Sequence, residues 1–226
     1  MNTLYLVRHG ENTANLTKEF SYRKVDYSLT EKGVLQAQQT GTAFKGLKID
    51  AIYSSPLKRA SETAAILATA VGLPYTILEA LREVNVGDLE DQPPTLATWE
   101  KHNQVIAAWD RGEIGVRFPG GENSLELRAR FDLALHQILD GRHDQQIIAV
   151  GHGGQFTFAL PQLCPQVDLS ERRYRTSHNC SISTIRVKSL DPGWQSEILT
   201  WSDTSHLSGL AAELVIGYVN TPNRND

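Results

Sequence analysis

The chain has 226 residues and a formal net charge of −4 at pH 7, with 21% charged and 40% hydrophobic residues. These values are typical of a globular domain with a substantial core. The acidic balance gives no support to nucleic acid as a partner, so any phosphate site must be a local basic cluster. Cys164 and Cys180 are the only cysteines, which argues against a disulfide framework and favours reduced thiols.

Strands and helices alternate along the chain, as apolar runs and turn signals indicate. Strands are predicted over 3–7, 50–54, 75–79, 146–150, 181–188 and 195–201, with a turn at Asp191-Pro192-Gly193 between the last two. Helices are predicted over 31–45, 56–71, 93–111, 125–139, 155–163 and 207–219. This alternation predicts an α/β fold, a three-layer α/β/α sandwich with a mostly parallel central sheet.

Local signals mark several of the predicted helix ends. Thr30 is expected to cap the helix over 31–45, and Ser124 the helix over 125–139. Pro56 suits the first turn of the helix that Gly72 closes.

We predict one domain over 1–226, with a small cap at about 84–123 and a C-terminal extension at about 203–226. The N-terminus begins the first strand at once and carries His9 and Glu11 where a signal peptide would need its apolar core, and no stretch approaches the length of a membrane-spanning helix. The protein is therefore expected in the cytoplasm without a membrane partner. Whether the apolar part of 207–219 packs on its own domain or in a homodimer stays open.

Two of the predicted strands run into a histidine followed by glycine. Arg8-His9-Gly10-Glu11 follows the first strand, and His152-Gly153-Gly154 follows the strand over 146–150. A single histidine in such a place is most simply a polar loop residue. Open α/β sheets, however, bind ligands at the carboxyl ends of their strands, and an arginine beside a histidine favours an anion such as phosphate.

Five separated segments together resemble the histidine phosphatase superfamily. They are Arg8-His9-Gly10-Glu11 with Asn15, Ser54 to Ala64 with Arg59, Glu83, Gly120-Gly121-Glu122, and His152-Gly153-Gly154. Their order and approximate spacing match that family over roughly residues 2–188. The family contains the cofactor-dependent phosphoglycerate mutases and many phosphomonoesterases, and the resemblance implies its fold and a phosphoryl-transfer reaction.

The resemblance implies a role for each of five catalytic candidates. His9 is the nucleophile that forms a phosphohistidine, which requires one ring nitrogen to be free and the other fixed by an acceptor. Arg8 and Arg59 offer planar donor forks to the phosphoryl oxygens, and His152 donates to the same group. Glu83 is the general acid that protonates a poor alkoxide leaving group.

Further residues are assigned to phosphate binding or to support. Asn15, Ser21 and Gly153 are the candidate phosphate-binding residues, although loop capping is nearly as good an explanation of Asn15. Glu90 competes with Glu83 but is expected to be structural, and Asp91 stands where the family often has glycine. No cofactor is expected, and no metal, because the histidines lack ligand spacing and the arginines supply positive charge.

The reaction itself is harder to predict. A mutase of this family carries a longer insert after the Glu83 position with an adjacent arginine pair, whereas residues 84–119 are short and hold no adjacent basic residues. We therefore favour a metal-independent phosphatase acting on a small phosphorylated metabolite. A bisphosphoglycerate-dependent phosphoglycerate mutase is the alternative, and an inactive phospho-ligand-binding relative is a third. Arg172-Arg173-Tyr174-Arg175 either borders the site or is a solvated turn.

Overall fold

The computed structural model describes residues 1–190 and 193–213, and within them the strands form one six-stranded sheet. The strands are β1 (Asn2–Arg8), β2 (Ala51–Ser54), β3 (Thr76–Ile77), β4 (Gln146–Gly151), β5 (Ile182–Ser189) and β6 (Trp194–Asp203), in the order β3-β2-β4-β1-β5-β6. The first four strands in that order run parallel, and β5 pairs antiparallel with β1 and β6. The predicted mostly parallel sheet is confirmed.

Six α-helices accompany the sheet in the described residues. They are α1 (Thr13–Thr17), α2 (Glu31–Phe44), α3 (Lys58–Val71), α4 (Leu96–Asp110), α5 (Ser124–Leu139) and α6 (Gly153–Leu163). Short 3₁₀ turns lie at Glu79–Leu81, Gly87–Asp91, Arg172–Arg175 and Gly209–Ala212.

The sheet is covered on both faces, because alternate residues of its central strands enter two different hydrophobic clusters. Leu4 and Leu6 of β1 pack with residues of α5 and α6, whereas Val7 packs with residues of α2 and α3. On β4, Ile147 and Ala149 face the first cluster while Ile148 and Val150 face the second. Burial of both faces explains why β4 is apolar throughout.

A third hydrophobic cluster lies between α4 and the body of the domain. It contains Phe20, Val84, Val86, Leu89, Val105, Trp109, Phe118 and Leu127. The segment that the sequence analysis treats as a cap is thus packed on its own buried apolar core.

Four helix starts differ from the expected ones, and the first of these is α4, which begins at Leu96 after the N-cap Thr95 and not at Pro93. Helix α3 begins at Lys58, because Leu57 keeps an extended backbone with ψ 138°. Asn123, and not Ser124, caps α5. The Asn123 side chain accepts from Glu126 N, and the Glu126 carboxylate accepts from Asn123 N. Helix α6 begins at Gly153, two residues earlier than predicted.

The other departures concern short or C-terminal elements. Helix α1 was not predicted; its capping box is formed by Asn12 and Asn15. The strand expected over 75–79 is only two residues long. A helix was expected over 207–219, but the structure has the short 3₁₀ turn Gly209–Ala212 in the first part of this range. Residues 214–219 lie outside the described residues.

The chain beyond β6 packs against α2. Gln36 Nε2 donates to Ala211 O at 3.1 Å, and Ser208 N donates to Gln39 Oε1 at 2.8 Å. Asp191 and Pro192, of the turn predicted between β5 and β6, also lie outside the described residues. Among the described helices none has the length and apolarity needed to cross a membrane.

Candidate active site

The pairing of β1 with β4 brings the two histidines together. Val7 lies opposite Val150 and Arg8 opposite Gly151 in a parallel register. The next residue on each strand is a histidine, and the ring centroids of His9 and His152 lie 5.2 Å apart. Residues 143 positions apart in the chain therefore meet at the carboxyl edge of the sheet, where this class of fold binds ligands.

His9 is buried and held as one neutral tautomer. Its Nδ1 lies 2.7 Å from the carbonyl oxygen of Gly10, to which it donates, and this leaves the lone pair on Nε2. Burial, together with the positive charges of Arg59 and Arg8, holds the pKa of His9 well below its ordinary value of 6.5. The ring is thus arranged as a nucleophile would need it, and Gly10 O is the acceptor that the sequence could not identify.

Arg59 approaches the free nitrogen of His9. Its Nε donates to His9 Nε2 at 3.1 Å, while the two terminal nitrogens donate to the hydroxyl and the carbonyl oxygen of Ser21 at 2.7 and 2.8 Å. Burial lowers the pKa of Arg59 to about 10, so the guanidinium is still charged at neutral pH. A planar cation therefore lies beside the candidate nucleophile.

Ser21 is held by the loop over residues 22–25. Its hydroxyl donates to Val25 O and accepts from Arg59, so it acts on the arginine in this structure. Glu90 Oε1 accepts from the four consecutive backbone N–H groups of residues 22–25, at 2.7 to 3.2 Å. Glu90 thereby organises the loop that orients Arg59, in keeping with the structural role expected for it.

Arg8 and the glycines after His152 fit closely together. The guanidinium of Arg8 donates to Ser177 O, and a Cβ on Gly153 would lie 3.3 Å from Arg8 Cδ and Nε. A Cβ on Gly154 would lie 2.7 Å from Glu83 Oε1. Glycine at these two positions allows the arginine and the carboxylate to approach the start of α6.

His152 is fully buried and has one nitrogen without a partner. Its Nε2 lies 2.7 Å from Ser55 Oγ, and Nδ1 has no hydrogen-bond partner among the described residues. The pKa of His152 is held well below its ordinary value. Burial is the main cause, and the positive charge of Arg59 is the second. A buried nitrogen in this position calls for a polar ligand atom.

Glu83 lies at the N-terminus of α6. Its carboxylate accepts from the backbone N–H groups of Val84, Gly154 and Gln155 at 2.8, 3.1 and 2.7 Å. These three donors fix the carboxyl group at the cavity that His9 also lines.

Arg130 supports the segment that carries Glu83, and the sequence analysis missed it. Its guanidinium donates to the carbonyl oxygens of residues 80, 82 and 83 at 2.9, 2.7 and 3.0 Å, and to Glu122 at 2.8 Å. Glu122, the last residue of the Gly-Gly-Glu segment, in turn accepts from Asn85 N. The pair holds the Glu83 segment against α5.

Asn179 is a second residue that the sequence analysis missed. Its Nδ2 donates to His9 O and to Asn15 Oδ1, each at 3.0 Å. Asn15 Oδ1 also accepts from Asn12 N at 3.1 Å, so the amide of Asn15 is oriented by two donors. That orientation leaves Asn15 Nδ2 to donate into the cavity.

Several of these residues line a cavity of about 430 Å³, whereas His152 and Arg130 are not among its lining residues. Its lining includes the polar residues Arg8, His9, Asn15, Arg59 and Glu83, the apolar residues Phe20, Val84, Val86, Trp99, Ile106 and Phe158, and the further basic residues Lys18, Arg175 and His178. Such a combination of an apolar cleft and a few converging polar groups is typical of a small-molecule site. Within the described ranges, no group of three or more histidine, cysteine or acidic side chains is placed to hold a metal ion.

The buried neutral histidines predict that stability falls on acidification. Below about pH 6.5 the unfolded chain binds protons that buried His9 and His152 do not, so the free energy of unfolding decreases as pH falls. Each contributes at most about 1.4 kcal/mol per pH unit. Urea unfolding between pH 7.5 and 5.5 in phosphate-free buffer should show this slope, and His152→Gln should make it shallower. Stability that is constant or rises on acidification would contradict it.

Comparison with known proteins gives a family match and close relatives. Residues 4–201 match the family model "Histidine phosphatase superfamily (branch 1)". A protein of Citrobacter koseri named "Probable phosphoglycerate mutase GpmB" is 35% identical over 220 residues, covering 94% of this chain and 98% of that protein. A Yersinia pestis protein with the same name is 34% identical over 215 residues, covering 92% and 95%.

Solved structures share the fold over nearly the whole chain. YhfR of Bacillus stearothermophilus has a TM-score of 0.76 and 26% identity, covering 91% of this chain and 99% of that one. The phosphoserine phosphatase of Entamoeba histolytica in complex with 3-phosphoglyceric acid has a TM-score of 0.73 and 22% identity, covering 92% and 100%. At 22% identity this second likeness concerns the fold.

Proposed function

The chain belongs to branch 1 of the histidine phosphatase superfamily, and on this basis we propose that it hydrolyses phosphomonoesters of a small metabolite through a phosphohistidine on His9. One observation carries the proposal. The Gly10 carbonyl holds the proton of His9 on Nδ1, and a buried, neutral ring then has its lone pair on Nε2 beside Arg59. Substrates of this class agree with the phosphorylated ligands named for structural relatives, 3-phosphoglyceric acid and phosphoserine.

In the first proposed step, His9 Nε2 attacks phosphorus and the bond from phosphorus to the ester oxygen breaks. Arg59 Nε, which donates to His9 Nε2 in the structure, transfers its hydrogen bond to a phosphoryl oxygen. Arg8, Asn15 Nδ2 and His152 Nδ1 are the other groups proposed to bind that phosphoryl group. Glu83, protonated at this stage, gives its proton to the departing alkoxide.

In the second proposed step, water attacks the phosphohistidine. Glu83, now a carboxylate, takes a proton from the water as it attacks, and the bond from phosphorus to His9 Nε2 breaks. Inorganic phosphate leaves, and His9 returns to its neutral form with the proton still on Nδ1. The positive charge comes from arginine, so the proposed reaction requires no metal ion.

The composition of the cavity supports hydrolysis over transfer between two positions of a bis-anionic substrate. Phe20, Val84, Trp99 and Ile106 are among its lining residues. The segment over 84–119 has no adjacent basic pair. The further cations that line the cavity, Lys18 and Arg175, are far apart in the chain, and Arg175 pairs with Asp110 at 2.8 Å, so a second strongly anionic group would not meet an adjacent pair of guanidinium groups.

The mutase remains a second candidate because of the relatives. The proteins 34% and 35% identical to this chain carry the name probable phosphoglycerate mutase, and they are matched over nearly their whole length. The same His9 chemistry would serve a mutase if a substrate hydroxyl, in place of water, received the phosphoryl group.

Parallel assays distinguish the candidates. Phosphate release is measured on a panel of phosphomonoesters, beside isomerisation of 3-phosphoglycerate with and without 2,3-bisphosphoglycerate. We expect phosphate release without isomerisation. Bisphosphate-dependent isomerisation with little release would replace the phosphatase by the mutase. Binding of phosphorylated compounds with neither activity would identify an inactive relative.

A further inference from the structure

One wall of the cavity is aromatic and contains a histidine that the proposed reaction does not use. The rings of Phe20 and Trp99 stack with centroids 3.9 Å apart. His102 of α4 lies against this pair and against Phe118, with centroid distances of 4.8 Å to Trp99, 5.3 Å to Phe118 and 5.4 Å to Phe20. An imidazole among three aromatic rings is held in one place.

The hydrogen bond of His102 defines which nitrogen faces a ligand. Nδ1 lies 3.1 Å from Asn103 Oδ1, which only accepts, so Nδ1 carries the proton and Nε2 carries the lone pair. Nε2 has no partner among the described residues and is not one of the buried unsatisfied atoms, while His102 lines the cavity. Nε2 is therefore the ring nitrogen with which His102, as a lining residue of the cavity, can accept a hydrogen bond. Burial lowers the pKa of His102, which keeps the ring neutral.

The two sides of the cavity differ in charge. Arg8, Lys18 and His178 all line the cavity, and the charge of Arg8 contributes to lowering the pKa of the other two groups. Val84, the residue after Glu83, packs in the same hydrophobic cluster as Phe20 and Trp99, which places the aromatic wall beside the proposed general acid. Another cation at the cavity, Arg175, is engaged by Asp110 at 2.8 Å. The phosphoryl group thus belongs on the basic side and the leaving alcohol on the aromatic side.

We propose that His102, with Trp99 and Phe20, forms a leaving-group subsite for a cyclic polyol, so that the substrate is a sugar or cyclitol phosphate. The apolar C–H face of such a ring packs on the aromatic side chains, and one of its hydroxyl groups donates to His102 Nε2. His102 is the specificity-determining residue because its ring lies among the aromatic side chains and offers an acceptor there. The placement of the alcohol rests on the proposed function, since Glu83 as general acid defines the side from which it leaves.

Two phosphate esters with the same six-membered carbon ring test the subsite. Cyclohexyl phosphate lacks the hydroxyl groups of myo-inositol 1-phosphate. A third ester, 3-phosphoglycerate, carries a carboxylate in addition to its phosphate and shows the effect of a second anionic group. For the wild-type protein we expect the highest kcat/KM on the inositol ester. His102→Leu should lower that value about fivefold to tenfold, as loss of one hydrogen bond does, and leave cyclohexyl phosphate within about twofold. His102→Gln, which retains an acceptor, should recover part of the loss.

A binding measurement separates this proposal from the proposed function. Calorimetric titration of both cyclic esters into His9→Ala, and into the same variant with His102→Leu, requires no turnover. We expect weaker binding of the inositol ester only when His102 is also replaced. Equal losses on both esters, or none, would overturn the subsite even if hydrolysis is observed, whereas selective binding without hydrolysis would overturn the proposed function alone. His143→Leu, at an exposed loop position, is the matched control.

Discussion

Replacing His9 with alanine is expected to lower kcat by at least about 10⁴-fold, because the variant has no nucleophile for the covalent step. The acid-labile phosphoenzyme that wild-type protein should form with a phosphomonoester should also disappear. Both quantities are measured by rapid quench with a ³²P-labelled substrate, followed by separation of labelled protein from labelled phosphate.

The control for this variant is His143→Ala, which removes an exposed imidazole in the loop before β4. It should form as much phosphoenzyme as the wild type. Circular dichroism of both variants shows whether the fold is retained. A His9→Ala protein that is folded and turns over at the wild-type rate would show that His9 is not the nucleophile.

Replacing Glu83 with glutamine should slow the hydrolysis of alkyl phosphates by about 10²- to 10⁴-fold, because the alkoxide then leaves without a proton. Formation of the phosphoenzyme from p-nitrophenyl phosphate should be affected far less, since p-nitrophenolate is a stable anion. Single-turnover rates on an alkyl ester and on the nitrophenyl ester provide the comparison.

Glu90→Gln is the matched control for Glu83→Gln, because Glu90 accepts from the backbone of residues 22–25 and not from the ligand side. Its effect should be equal on both esters, since it acts on Arg59 through the loop. Equal losses on both esters in Glu83→Gln would assign Glu83 a positioning role in place of proton transfer.

The sequence predicted the elements whose ends carry local signals. Thr30 caps α2 and Gly72 ends α3 in the left-handed conformation, because both depend on neighbouring residues alone. The start of α3 was wrong by two residues, since Pro56 suits a helix but the chain stays extended up to Leu57. Helix α1 was missed because its five residues have too little apolar periodicity to be detected.

The candidate site was partly predictable for a related reason. His9 and His152 could be paired because each ends an apolar strand, and the family resemblance added Arg59 and Glu83. Arg130 and Asn179 could not be found, because they act by hydrogen bonds to backbone atoms 47 to 50 and 170 positions away. No pattern within a short window of sequence reports such a contact.

The parallel register of β1 and β4 also has a kinetic consequence. Leu4 pairs with Ile147 and Arg8 with Gly151, so the site exists only when the chain has closed a loop of more than 140 residues. A slip of one residue would turn each side chain of β1 to the opposite face of the sheet. Contacts this distant form late and slowly during folding. The candidate site should therefore be among the last parts of the molecule to assemble on refolding, and a nascent chain that ends before residue 146 cannot form it.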